Sequence, residues 1–575
     1  YNQIFFQQVI YGGNVSYQFH SATNQIIEAL RAGVYPLFSF SFSLSMNLLG
    51  ESQQSILHPI KVLIGLVLTN SHLVDTYFMM INLCVMYFGY LILLRTSFLP
   101  KNSKLQIAVF GAFTITFSQA VFSNLVHPMF IASLSLVPYL FLAIDLSLNV
   151  IDRKRIFFVF LTSLIFLSCG HYGIQWLIYL FLIVYSFGRY FNSTTDLKNV
   201  FLIIVSLIFS FLVMAIQLIP TLELMINSGR ALPGGFDKFV QSVAPLNLLG
   251  YFNPYADFIV YKFSNSDYVT WTYNNLVEGV HFNGISSLLL SIYFFIFFKT
   301  VQNKKDRSLL FAAFFIFLRA LGLFFFINVV LNFLPIFGQF RVPVRSLFVI
   351  DIILVIFACR VLHSGLEIKK LNKIVNIIIC LQIVFISYVL IVVFDASFIQ
   401  RQINISFSEL AIIFFPLLVI LMLKVLYSLY PRFFINRLAY IFLAIILLEL
   451  IGNKYLFPMV WYSVDKSRMN SNSSYVDDIC KKVGANKIWT FYSPPDYDLP
   501  ISKLSGMSNS EIISKNEKKY IEPLGKKCLL TNSIMASTLT PTITKDLWIH
   551  LIETSFYLSE PQAYQYLYLA FLDAQ

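Results

Sequence analysis

The sequence predicts an all-α polytopic membrane protein, and three observations predict it. Of the 575 residues, 57% are hydrophobic and only 12% charged, about half the charged share of an ordinary soluble domain. The apolar residues fall in long, nearly uncharged runs, each close to the roughly 20 helical residues that cross a hydrocarbon core. Lys and Arg gather between the runs in alternate connections, the pattern of cytoplasmic loops. The formal net charge of +12 does not point to nucleic acid, because the basic residues are dispersed and form no recognisable nucleic-acid motif.

Twelve runs read as spans: 73–95, 105–122, 125–147, 155–169, 172–188, 199–219, 282–299, 308–333, 346–363, 374–395, 408–425 and 434–456. The run "ILHPIKVLIGLVLT" at 56–69 would reach only about 21 Å as a helix, so it is expected to be re-entrant or interfacial. With that run outside the count, the basic connections alternate throughout. They carry Arg95, Lys101 and Lys104; Arg153, Lys154 and Arg155; Arg189 and Lys198; Lys299, Lys304, Lys305 and Arg307; Arg360, Lys369, Lys370 and Lys373; and Lys424, Arg432 and Arg437. Residues 1–72, the loops 220–281 and 334–345, and the tail from about 457 then fall on the non-cytoplasmic side. An outer first loop requires a preceding helix, so about thirteen spans are expected in the intact protein. The abrupt end at "AFLDAQ" reads as a second truncation.

Three regions follow. Residues 1–72 form a first outer loop with amphipathic and interfacial helices, and 73–456 form a transmembrane helical domain that includes the outer loop 220–281. Residues 457–575 turn polar, with short β-prone runs such as "KIWTFY", and are expected to form a small extracytoplasmic α/β domain. Cys84, Cys169, Cys359 and Cys380 lie in apolar spans as small buried hydrophobes. Cys480 and Cys528 share the outer tail, where an oxidising compartment would allow a disulfide. No zinc spacing, P-loop, G-x-S-x-G or H-E-x-x-H pattern is present, so no cofactor is expected and no metal site is read.

Chemistry is expected on the outer face. "SYQFHSATNQIIEALRAG" places Phe19, Ala22, Ile26, Ala29 and Leu30 at helical spacing, the signature of an amphipathic helix on the membrane surface. Gln18, His20 and Glu28 form its polar side, which is either functional or simply solvated. Next, Glu51, Gln53, Gln54 and His58 form a polar cluster that either holds a phosphate or sugar hydroxyl or caps a helix. His127 and Pro128 mark one outer hairpin. "SCGHYGIQW" marks another, and its His171 either lines a cavity or serves the structure. The long loop holds Arg230, Asp257, Asp267, Glu278 and His281 and has the length of a substrate lid. Arg341 and Arg345, in "LPIFGQFRVPVRSLF", stand on the outer side against the positive-inside trend. A phosphate-bearing lipid head group would account for them, since the guanidinium fork donates two parallel hydrogen bonds; acidic partners within the loop are the alternative.

Taken together, these segments resemble the YfhO-like bacterial membrane proteins, a branch of the GT-C glycosyltransferase class. The resemblance runs through "GGNVSYQF", "SFSLSMNLLGESQQSILHPIKVLI", "GHYGIQ", "IPTLELMINSGR" and "FGQFRVPVRSLF", in the family's order, across most of residues 12–456. It implies a cell-envelope enzyme that takes a polyprenyl-phosphate-linked sugar as donor and a glycan or glycolipid as acceptor. It also implies an outer-face site built from the first loop, the long loop and the Arg-bearing loop. The family opens that site with Asp-x-x-x-Gln-Tyr or Phe, the carboxylate acting as general base. Here Gln18 and Phe19 match, but the Asp position falls on Asn14, and an amide cannot take up that proton.

Three readings follow: Glu51, Asp257 or Glu278 supplies the base, the chain is an inactive envelope-assembly protein, or another acid belongs at this position. The expected reaction is an inverting displacement in which Arg341 and Arg345, with Arg230, offset charge on the departing lipid phosphate. Gln18, His58, His171 and His281 would complete the substrate contacts. The rival class is a transporter or flippase of lipid-linked substrates, with Arg319, Asp351 and Glu449 along its path; against it, no inverted repeat is detectable.

Overall fold

The computed structural model describes residues 8–11, 20–36, 38–39, 46–68, 70–226, 281–297, 303–322, 343–398 and 407–454. It also describes some positions within 242–253 and 325–328, and short strands at 462–465, 488–489 and 530–531. Helices dominate: α1 His20–Arg31, α2 Pro59–Val67, α3 Ser71–Leu93, α4 Leu105–Thr116, α5 Gln119–Ser123, α6 Pro128–Asn149, α7 Arg153–Leu167 and α8 Tyr172–Phe191. They continue with α9 Leu197–Val213, α10 Ala215–Ile226, α11 Ile285–Phe297, α12 Lys304–Ala320, α13 Leu347–Ser364, α14 Ile368–Phe398, α15 Phe407–Leu429 and α16 Pro431–Lys454. Strand Gln8–Tyr11 pairs antiparallel with Tyr462–Asp465, Val9 opposite Val464, so the residues before the bundle and those after it meet at one end. Beyond 454 only that strand and the parallel pair Ile488–Trp489 and Leu530–Thr531 are described. The rest of the expected α/β tail, including Cys480 and Cys528, lies outside the described residues.

The expected count of about twelve spans, thirteen in the intact protein, is overturned. Among the described residues six helical stretches are long and apolar enough to cross a membrane: Leu73–Phe98, Leu105–Ser123, Pro128–Asn149, Tyr172–Phe191, Pro343–Ser364 and Ile368–Ser387. A seventh is gained if α9 and α10, bent by 69° at Met214, count as one span. The physical reason is helix length. Composition locates apolar runs but not helix ends: α7 has 15 residues and α12 has 17, or only about 23–26 Å against a hydrocarbon core of about 30 Å. Moreover, α12 opens with Lys304, Lys305, Asp306 and Arg307, and α16 breaks from helical geometry at Arg437. The architecture is thus an all-α, multi-pass membrane protein whose helices vary more in length than the runs suggest.

The first loop contains two helices. The amphipathic segment is α1, with Ala22, Ile26 and Ile27 buried and Glu28 exposed. The short run at 56–69 is the nine-residue α2, which leaves Leu63, Leu66 and Val67 outward. Of the four span cysteines, Cys169 and Cys359 are buried, but Cys84 and Cys380 are exposed, because an apolar helix face at the rim of a membrane bundle needs no protein partner.

The core centres on α6, which is buried along nearly its whole length and packs against α3, α7 and α8. Near its end, Asp145 accepts from Arg189 Nη1 (2.8 Å) and Tyr185 (2.7 Å) of α8, and its second oxygen accepts from Lys305 Nζ of α12 at 2.6 Å. Arg189 also donates to Asn149 and Thr194, and Lys305 to the Ser97 carbonyl. Nearby, Arg360 of α13 pairs with Asp306. Residues from three of the expected basic connections, Arg189, Lys305 and Arg360, therefore share one end of the bundle.

This network binds three helices through one carboxylate that is wholly buried. Replacing Asp145 by Ala leaves two cations facing each other without their anion, a loss of about 3–5 kcal/mol. The variant is expected to unfold at a markedly lower temperature in detergent, measured by intrinsic fluorescence; an unchanged midpoint would show that the network contributes nothing.

Candidate functional site

At the end of the bundle opposite Asp145, four separate sequence segments touch. The first loop turns through Leu48–Gly50, a 3-10 turn at Ser52–Gln54 and Ser55, whose φ of 52° lies in the left-handed region. It then enters α2 with Pro59 at the first helical position, where a missing N–H costs nothing. Ser55 Oγ donates to the Cys169 carbonyl at 2.6 Å. The next residue after Cys169, Gly170, has φ +83°, and a Cβ on it would stand 1.7 Å from the Ser52 carbonyl oxygen. Only glycine allows both that conformation and that approach. From a third segment, Thr221 Oγ1 of α10 donates to the Gly50 carbonyl at 2.8 Å. From a fourth, the Arg345 guanidinium lies over the start of α8: a Cβ on Gly173 would be 3.5 Å from Arg345 Nη1 and equally far from the His171 ring.

His171 caps α8, its Nδ1 accepting from the Ile174 N–H at 3.2 Å, and its ring stands edge-on to Phe130. The positive end of a 20-residue helix dipole and the Arg345 guanidinium thus converge, an arrangement that favours an anion. Glu51 stands half-buried at the turn that follows Gly50.

His58 sits deeper. It is 1% exposed and edge-on to Phe78. Burial, reinforced by the Lys61 charge, pushes its pKa from 6.5 down to about 3, so it is neutral and cannot be a cationic phosphate ligand. Lys61 itself is engaged by the Gln54 carbonyl (2.9 Å) and by Asp75 (3.3 Å), which also accepts from Thr23. This buried pair fastens α1, α2 and α3 together.

The second part of the site surrounds His281. Its Nδ1 lies 3.0 Å from Asp351 Oδ2; a carboxylate can only accept, so Nδ1 carries the proton. Tyr251 stacks on the ring and packs with Val344 and Leu347, which flank Arg345 and so join the two parts. Three residues on, Gly284 (φ +82°) lets the chain pass Glu449, whose Oε1 accepts from the Ile285 N–H at 2.9 Å. Behind it, the Phe282 carbonyl accepts from the Gln119 N–H.

His281 and Asp351 are 3% and 2% exposed, yet His281 Nε2 and Asp351 Oδ1 have no hydrogen-bond partner among the described residues. The same holds for Glu449 Oε2, Ser287 Oγ and both side-chain amide atoms of Asn283 and of Gln119. Each such atom costs about 1–3 kcal/mol if it is left unsatisfied, far more in sum than a structural motif needs to bear.

Of the residues expected from sequence, Glu51, His58, His171, His281 and Arg345 are described. Glu51, His171 and Arg345 belong to the touching segments, His58 is buried behind them, and His281 is joined through Tyr251. Asn14, Gln18, Arg230, Asp257, Glu278 and Arg341 lie outside the described residues. Asp351 was read only as a transport candidate. Its signal was a lone carboxylate inside the apolar run "FVIDIILV", but nothing in the sequence pairs it with a histidine 70 residues earlier. Among the described residues no group of three or more His, Cys, Asp or Glu is placed to hold a metal ion.

No family model matches the chain, and no curated protein matches it. Among solved structures, the chain is similar to the crystal structure of ArnT from Cupriavidus metallidurans bound to undecaprenyl phosphate, at 8% identity and a TM-score of 0.45, over 85% of this chain and 80% of that one. This is a distant likeness of overall fold alone.

Two outcomes test the geometry. Gly170→Ala drives a methyl into the Ser52 carbonyl and is expected to undock the first loop, seen as faster proteolysis around residues 48–58; wild-type protection would contradict the contact. His58 is held neutral in the fold but takes up a proton in the unfolded chain below about pH 6.5. Its contribution is therefore complete above that pH and is lost as the pH falls towards about 3. Thermal midpoints measured from about pH 7 to about pH 4 are expected to fall more steeply in wild type than in His58→Gln; parallel curves would contradict a neutral buried ring.

Proposed function

We propose that this chain is a membrane-embedded glycosyltransferase of the GT-C type, akin to the YfhO-like proteins, that moves a sugar from a polyprenyl-phosphate donor to an envelope glycan or lipid acceptor on the outer face. The observation that carries the proposal is Arg345, set over the N-terminus of α8 beside His171. A guanidinium fork and a helix N-terminus together suit the phosphate of such a donor. As the bond to the anomeric carbon breaks, that phosphate gains charge, and donors already fixed in place stabilise it without reorganising. Arg341, Arg230 and Gln18 are further donor ligands in this proposal, and Glu51 lines the same corner as Arg345.

The route for the lipid supports the reading. The bent helix α10 turns Ile216, Ile219 and Leu222 outward, while its Thr221 holds Gly50. A polyprenyl chain lying on that apolar face would have its head group near the Arg345 corner. A flippase of lipid-linked substrates is the second reading, favoured by the buried carboxyls of Asp351 and Glu449; it differs in moving its substrate across the bilayer without breaking a bond.

Arg345→Ala removes charged hydrogen bonds that contribute about 1.5–3 kcal/mol, so decaprenyl phosphate is expected to bind about 10- to 150-fold more weakly. Arg345→Lys should recover only part, since the fork is lost. Titration of decaprenyl phosphate into protein in nanodiscs measures both, and unchanged affinity in Arg345→Ala would refute the proposed phosphate site. Labelled sugar passing from lipid to acceptor without flux across proteoliposomes separates transfer from flipping.

A further inference from the structure

We infer that His281, oriented by Asp351, is the base that removes the acceptor's proton, and that the polar groups around the pair bind a hydroxyl-rich acceptor, a carbohydrate. The inference rests on the glycosyltransferase reading above and supplies the base that the Asn14 amide cannot be.

The geometry is that of an oriented imidazole. Nδ1–H donates to Asp351 Oδ2 at 3.0 Å, which leaves Nε2 with its lone pair and without a partner among the described residues. Tyr251 stacked on the ring fixes its plane. An imidazole whose second nitrogen is locked by a carboxylate is the arrangement in which a histidine accepts a proton from a hydroxyl. As the imidazolium forms, Asp351 faces its new charge.

The surroundings suit a sugar. Asn283, Gln119 and Ser287 each offer donors or acceptors that no described residue uses, and Glu449 offers a second oxygen. Ser287 stands one turn above Ser291, whose hydroxyl donates to the Leu354 carbonyl, so by helical period it faces α13 near the level of Asp351. An apolar ligand would leave every one of these groups unpaired, whereas a ring of hydroxyls can meet them. Asp351 follows Arg345 by six positions, through the end of a 3-10 turn into α13, a rise of about 10 Å. A donor phosphate at the first and an acceptor hydroxyl beside the second fit on opposite sides of one anomeric carbon.

The step balances without a co-reactant. The acceptor oxygen forms its bond to the anomeric carbon while the bond from that carbon to the phosphate oxygen breaks. The electron pair leaves on the polyprenyl phosphate, and the hydroxyl proton passes to His281 Nε2. His281 is the catalytic residue. Asp351 is a positioning residue: in Asp351→Asn the amide can donate to Nδ1, which forces the proton onto Nε2 and removes the acceptor.

The test uses the full chain in proteoliposomes, a panel of radiolabelled decaprenyl-phosphate hexoses as donors and the total envelope glycan fraction as acceptor. His281→Gln and Asp351→Asn are expected to lower kcat about 10²- to 10⁴-fold while the donor KM stays within about twofold. Added imidazole should restore part of the rate to His281→Gly but none to Arg345→Ala. Decaprenyl phosphate binding reports whether each variant is folded, and a variant that fails it is set aside in favour of imidazole rescue.

If His281→Gln and Asp351→Asn keep the wild-type rate, or imidazole rescues nothing, while Arg345→Ala and Glu51→Gln lose it, the base lies on the first loop. The inference is then overturned and the glycosyltransferase reading stands. If wild type transfers nothing from any donor and its decaprenyl phosphate affinity is indifferent to Arg345, the reading itself falls and the inference with it.

Discussion

Direct contact of backbone with backbone, at Gly170 against Ser52, positions the rest of the bundle end opposite Asp145. Polar groups in an apolar medium must find partners within the protein, and two turns emerging from different helices solve this by meeting each other. Ser55 closes the same joint from the other side through the Cys169 carbonyl. Because the joint has no side chain between its halves, it sets the height of the first loop relative to α8. His171, Gly173 and Arg345 then meet at the helix N-terminus, and the Thr221 bond to Gly50 brings α10 to the same corner.

The polar groups around Asp145 and those around His281 are treated differently. Around Asp145, the Arg189 and Lys305 donors find acceptors, and the group ties helices together as a permanent fixture. In the second group, His281, Asp351 and Glu449 each keep one hydrogen-bonding atom without a partner among the described residues, and Asn283 and Gln119 each keep two. Stability alone accounts for the first pattern and works against the second, because burying an atom without a partner costs free energy that folding cannot recover. Such a reserve is intelligible where another molecule is meant to use it. Under the proposed function, its place next to the anion-favouring corner would let a molecule with a charged end and another with hydroxyls bind side by side.

Much of this was legible in the sequence, and the failures have identifiable causes. The amphipathic spacing from Ala22 to Leu30 became α1, and the short run at 56–69 became a helix too short to cross. Composition, however, says where apolar residues lie and not where a helix starts and stops. The Lys304–Arg307 charges fall inside α12 and a bend at Met214 divides α9 from α10, so runs that look alike differ in length and path. At the site, "GHYG", "VPVRSLF" and the Glu51 turn could be picked out singly. The His281–Asp351 pair could not, because helix packing rather than spacing brings it together.

The most direct measurement is photocrosslinking with a polyprenyl phosphate that carries a diazirine on the isoprene unit next to the phosphate, followed by peptide mapping of the adducts. Adducts concentrated at residues 170–173 and 343–347, and competed away by decaprenyl phosphate, are the outcome required if Arg345 and the start of α8 hold the donor. Adducts spread evenly over the lipid-facing helices, or concentrated near Asp145 at the opposite end, would contradict it.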